Sequence, residues 1–127
     1  MSRTSVQQKE NRIQPRLKLA PMYTFVRVRL EGRQCFGWSG HIYDVSASGM
    51  RFELDKALTP GVSIEVRASL PGAQRTRIHV KGHVVRLHED APEPGPVRMS
   101  MAFDQFCRSH DRRQLSSYLA EAGLKAA

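Results

Sequence analysis

Cysteine is scarce in this chain: Cys35 and Cys107 are the only two, far apart and without a CxxC pairing. That excludes a disulfide framework and a thiolate zinc site, and both read as free thiols. Long apolar runs are missing too. No stretch reaches membrane-spanning length, and the N-terminal "MSRTSVQQKENR" lacks the apolar centre of a secretion signal, so a cytoplasmic protein is expected. Acidic residues are the third shortage, with 12 Asp and Glu against 20 Lys and Arg, a formal charge of +8 and a pI near 10.2. A surplus of this size draws phosphate-bearing partners over long range without choosing among them.

Catalytic patterns are equally absent. There is no GxSxG, HExxH, P-loop or Cys-His pattern, and no close pair of carboxylates in an apolar setting. His79 and His83 tempt a metal assignment, but four residues along a strand separate them by about 13 Å, too far to share an ion. His41, His88 and His110 are scattered. The expectation is a protein that is not an enzyme and holds neither metal nor cofactor.

What the 127 residues do contain is alternation. Met22, Thr24, Val26, Val28 and Leu30 fall on one face of a first strand, opposite Tyr23, Phe25, Arg27 and Arg29. A second strand runs through Phe36, Trp38, Gly40 and Ile42, with Trp38 on an apolar face and expected in the core. The turn "YDVSASGM" follows, then a short strand with Met50, Phe52 and Leu54 on one side. Between two Pro-Gly pairs, Val62, Ile64, Val66, Ala68 and Leu70 alternate with Ser63, Glu65, Arg67 and Ser69. A longer strand from about Gln74 to His88 is interrupted by Gly82, and an acidic, Pro-rich loop leads to Val97, Met99, Met101 and Phe103, the methionines lining the interior.

Only the tail changes period. Leu115, Tyr118, Leu119 and Ala122 recur at helical spacing, with Ser109 or Asp111 placed to cap the start and Gly123 to stop the helix. The reading is a mainly β chain: a six-stranded antiparallel barrel with one C-terminal helix, closed because closure removes exposed edges. One domain is expected, with a flexible tail over 1–11, the barrel over about 22–104 and the helix over about 110–122.

Two short motifs carry the functional reading. Arg12 and Arg16 form an RxxxR pair in an irregular segment before the first strand, where Pro15 forbids a helix interior. Asp44, Ser46 and Gly49 form a DxSxxG turn after the second strand. Either alone is weak; in this order, together with "GMRFEL", the closing "RMSMAF" strand and the helix, the chain resembles the PilZ family over roughly residues 9 to 124.

That resemblance implies a PilZ domain over 12–124 that binds cyclic di-GMP, a bacterial second messenger, with its RxxxR segment, 12–16, ordered over the ligand. The expected ligand-binding residues are Arg12, Arg16, Asp44, Ser46 and Gly49. Their chemistry suits a guanine dinucleotide. A guanidinium can satisfy guanine N7 and O6 bidentately, stack on its face or pair with phosphate. Asp44 can accept from guanine N1 and N2, Ser46 can bond base or backbone, and Gly49 admits close approach of the main chain. Asn11 stands where many family members carry a further arginine, which leaves open one ligand or an intercalated pair. With almost no apolar anchor before Leu17, residues 1 to about 18 are expected to be mobile until ligand orders them.

The resemblance also implies a downstream protein partner, whose identity leaves no mark in the sequence. Two alternatives remain: a PilZ-like adaptor that makes only protein contacts, and a small basic barrel that binds nucleic acid. The latter is disfavoured, because Tyr23, Phe25, Arg27 and Arg29 give only part of the aromatic and basic strand face that it needs.

Overall fold

The computed structural model describes residues 15–72, 75–88 and 95–122. Its strands are β1 (Leu17–Lys18), β2 (Phe25–Leu30), β3 (Trp38–Val45), β4 (Gly49–Leu54), β5 (Ser63–Leu70), β6 (Thr76–His88) and β7 (Val97–Phe106), followed by helix α1 (Asp111–Glu121). Pairing is antiparallel throughout, in the order β1-β3-β2-β5-β6-β7-β4, and β4 closes back onto β3. The expected six-stranded barrel is therefore β2 to β7. The short β1 is an addition: it takes over from β2 along the second half of β3, with Leu17 opposite Val45 and Lys18 opposite Asp44.

Alternation places the core. Val26 and Val28, Ile64, Val66, Ala68 and Leu70, Ile78, Val80 and Val84, and Met99 and Met101 all point inward and are buried, around a fully buried Phe52. Trp38 packs against this core while half-buried. The first Pro-Gly pair makes a turn in which Val62 N–H donates to Thr59 C=O (3.1 Å) and Gly61 takes φ 94°, a conformation that glycine alone adopts without cost. In α1, Leu115 and Leu119 lie four apart and join the core, while the Tyr118 hydroxyl donates to Pro71 C=O at 2.6 Å.

Two local expectations are corrected. The first strand does not start at Met22, because Pro21–Tyr23 form a 3-10 turn with proline near its start, leaving Met22 and Tyr23 74% and 70% exposed. Thr24 resumes the inward pattern; its hydroxyl accepts from Ile42 N–H at 2.7 Å and donates to Pro21 C=O at 2.8 Å. Neither Ser109 nor Asp111 caps α1. His110 stands at the cap position without a side-chain bond, and the buried Asp111 carboxylate instead accepts from Arg108 N–H at 2.8 Å, pinning the turn that enters the helix. Gly123, expected to stop the helix, lies outside the described residues.

Gly82, which interrupts the alternation, sits at a register shift between β6 and β7. A Cβ there would lie 2.0 Å from the Ala102 carbonyl oxygen, so the closeness of the two backbones requires glycine.

Candidate ligand-binding site

The hairpin from β3 to β4 builds the site. Val45 faces Met50 and Asp44 faces Arg51, so the connection is the tight turn from Ser46 to Gly49. Ser46 N–H donates to Gly49 C=O (2.8 Å), and the Ser46 hydroxyl accepts from Ser48 N–H (3.2 Å), a local side-chain bond of the sort that makes serine a turn residue. Phe103 N–H donates to Ser48 C=O at 2.8 Å, tying the turn to β7. Asp44 belongs to β3 itself rather than to the turn.

The two sequence motifs meet here. Arg16 Nη1 donates to Asp44 Oδ1 at 3.1 Å, across 28 residues of sequence. Arg51 Nε lies 3.7 Å from Asp44 Oδ2, so a nearly buried carboxylate sits between two guanidiniums that are each about half exposed. β1 fixes the Arg16 end: Leu17 and Lys18 pair with β3, and Leu19 N–H donates to Tyr43 C=O at 2.8 Å. Leu17 and Lys18, at the end of the segment expected to be mobile without ligand, thus have backbone partners on β3. Arg12 lies outside the described residues.

Ser46 and Gly49 are buried, and each has a use within the hairpin. A Cβ on Gly49 would stand 2.3 Å from the Met101 carbonyl oxygen, so this glycine serves the contact with β7, and its φ is not positive.

Sequence reasoning missed the residues around Asp44. Arg51 was within reach, since a tight turn from Ser46 to Gly49 puts position 51 opposite 44. Beside it, Tyr43 donates its hydroxyl to Glu53, and the Arg98 guanidinium lies 4.4 Å over the Tyr43 ring. Burial, then the Glu53 carboxylate, push the Tyr43 phenol above its ordinary value of 10, with Arg98 acting in opposition.

A second polar cluster lies on the β2–β5–β6 face. Buried Glu65 accepts from Arg29 through both oxygens, at 2.9 Å and 3.2 Å, and also pairs with His79 Nε2. Donor atoms of Glu65, His79 and Cys107 fall within 4.8 Å of one another. Burial, then the Glu65 charge, push the Cys107 thiol up, and Arg29 already neutralises the carboxylate, so the cluster has the chemistry of a satisfied buried acid. His83 pairs separately with Asp104 at 2.9 Å, so His79 and His83 have different partners.

Burial alone would raise the Glu65 pKa, but hydrogen bonds from Arg29 and His79 outweigh it and hold the carboxyl below 4.5. A depressed folded pKa stabilises the fold above the unfolded value, and that contribution is lost as pH falls through the folded pKa. Glu65→Gln should therefore cost about 1–2 kcal/mol near neutrality. Its melting temperature should also decline less steeply than the parent's below about pH 4.5, in thermal melts run from pH 7 to pH 3.

The PilZ domain model matches residues 8–121. The chain belongs to the PilZ family. Among solved structures, the PilZ domain of YcgR from Escherichia coli, determined with c-di-GMP, aligns with a TM-score of 0.58 and 18% identity, covering 87% of this chain and 95% of that one. The Bacillus subtilis inhibitor of motility MotI/DgrA aligns with a TM-score of 0.67 and 19% identity, over 87% of this chain and 50% of its own. MrkH, a c-di-GMP-dependent transcription regulatory factor, gives 0.61 and 19%, over 88% and 51%. This PilZ chain thus spans about half the length of the latter two. No curated protein sequence matches it. Among the described residues, no helix is long and apolar enough to cross a membrane.

Proposed function

We propose that this PilZ protein is a receptor for cyclic di-GMP that passes the signal to a protein partner rather than catalysing a reaction. The observation that carries the reading is the 3.1 Å contact between Arg16, the last residue of the RxxxR motif, and Asp44, the first of DxSxxG. The likeness in fold to the c-di-GMP-bound PilZ domain of YcgR supports it.

The residues divide the work by charge and shape. Asp44 accepts from the N1 and N2 donors of guanine while Arg51, across the hairpin, keeps its second oxygen paired. Arg16, released from Asp44, turns its planar fork to a guanine edge or a phosphate, and Arg12 adds a second guanidinium. The segment before β1 is then ordered over the ligand, with Leu17 and Lys18 as its anchor on β3. Ser46 and Gly49 hold the hairpin in the shape that presents Asp44.

Isothermal titration tests this, with GTP and cyclic di-AMP as controls. Heat is expected for cyclic di-GMP alone, with a shallow salt dependence, because two phosphates release few counterions. Folded protein that gives no heat would leave the adaptor reading in its place.

A further inference from the structure

At one end of the barrel, the 3-10 turn, the start of β2, the end of β5 with Pro71 and Gly72, and the start of β6 with Arg75 border a groove of about 1070 Å3. Met22, Tyr23 and Phe25 form its apolar part, the last 44% exposed. Arg27, Arg67, Arg75 and Arg77 form its charged part, and all four are exposed. None of the four has a carboxylate within ion-pair distance among the described residues, whereas Arg29 and Arg108 are matched to Glu65 and Asp111.

Strand register sharpens the imbalance. Arg27 lies directly opposite Arg67, which lies directly opposite His79. Like charges facing each other across a strand pair destabilise a sheet, so the free fold carries a cost that an acidic partner would relieve. The groove is also separate from the Asp44 hairpin, which sits where β3, β4 and β7 meet.

The geometry points to this groove as the docking surface for an acidic protein segment that also carries large apolar side chains. Composition selects protein over nucleic acid. Exposed Met, Tyr and Phe beside several arginines, with no lysine and no carboxylate in the lining, is the make-up of a protein–protein contact centre. A single strand of nucleic acid would stack on a succession of free ring faces, but the groove offers only those of Tyr23 and Phe25, since the neighbouring Phe36 ring lies under Arg29 at 4.4 Å and Arg67 at 4.5 Å. The receptor reading gives the surface its meaning as an output, but binding to it is measured without cyclic di-GMP, so either idea can fail alone.

The test is an NMR titration of isotope-labelled protein with a peptide of about twelve residues alternating Glu with Leu and Phe. An all-Glu peptide and a thymidine oligonucleotide of about the same length run in parallel. The mixed peptide is expected to shift amides of 22–27, 67–72 and 75–79 saturably, with a Kd below about 1 mM. Arg67→Glu and Arg77→Glu should each weaken it at least about tenfold, and Arg86→Glu, the same charge change on an exposed residue outside the groove, less than about threefold. Thermal melts check that the variants are folded. The proposal is overturned by no saturable shift at about 5 mM peptide, by an equal effect of Arg86→Glu, by an all-Glu peptide that binds as tightly, or by an oligonucleotide that binds more tightly at matched salt.

Discussion

Arg16→Ala is expected to weaken cyclic di-GMP binding by about 5-fold to 150-fold, the loss of one bidentate or charge-assisted contact worth roughly 1–3 kcal/mol. The free protein should melt within about 4 °C of the parent. Arg16 is 44% exposed, and a pair of that kind contributes about 0–1 kcal/mol. Asp44 is not stranded by the change, because Arg51 still faces its other oxygen. Arg12→Ala should show the same split, an affinity loss with an unmoved melt. Asp44→Ala differs: it leaves Arg16 and Arg51 facing each other without the carboxylate between them, so both readouts should fall. Titration and ligand-free melting on the three variants check this together. Parental affinity in both arginine variants would return the basic segment to a solvated charge run.

The barrel was legible in the sequence because period-two alternation survives wherever one face of a strand is buried. In β5, for example, Ile64, Val66, Ala68 and Leu70 point inward as their spacing says. What was not legible depends on contacts between distant segments. Glu65, on the outward face of the same strand, was expected to meet solvent, but Arg29 on β2 and His79 on β6 cover it, and no local pattern announces a buried acid. β1 was missed for the same reason: two residues carry no period, and only the unpaired half of β3 gives them a place. The start of the first strand was misread because alternation outweighed Pro21. That misreading hid the most exposed large apolar side chain described, Met22, and with it part of one wall of the groove.

The site divides along a similar line. Arg16 and Asp44 were found through a motif whose spacing reflects a contact in space, and the structure brings them together. Arg51 could have been read from hairpin register, whereas Tyr43 and Arg98 meet only because β3 and β7 flank β4. Motif glycines are the hardest to interpret from sequence. Close approach to a ligand and close approach to a neighbouring strand both select glycine, and both leave the same letter.

Gly49→Ala separates those two meanings, and its expected effect is on the fold. The new methyl carbon would lie 2.3 Å from the Met101 carbonyl oxygen, which is backbone held in the β4–β7 ladder and has no rotamer by which to withdraw. Gly49 pairs with Ala102 and Met50 with Met101, so relief requires parting the strands at the start of β4, next to a turn that Phe103 N–H also ties to β7. Overpacking of this kind costs about 1–3 kcal/mol and more when backbone must move, so a loss near 3 kcal/mol is expected. At about 4 °C per kcal/mol for a domain of this size, the ligand-free melting temperature should drop by roughly 12 °C. Affinity for cyclic di-GMP, measured well below the new midpoint, should fall less than in Arg16→Ala, because in the proposed mode the hairpin contact to the ligand is made by Asp44, two pairs along, and not by Gly49. A variant that melts like the parent yet fails to bind would assign Gly49 to the ligand instead, and would mean that the β4–β7 contact at Met101 yields more easily than a strand pair should.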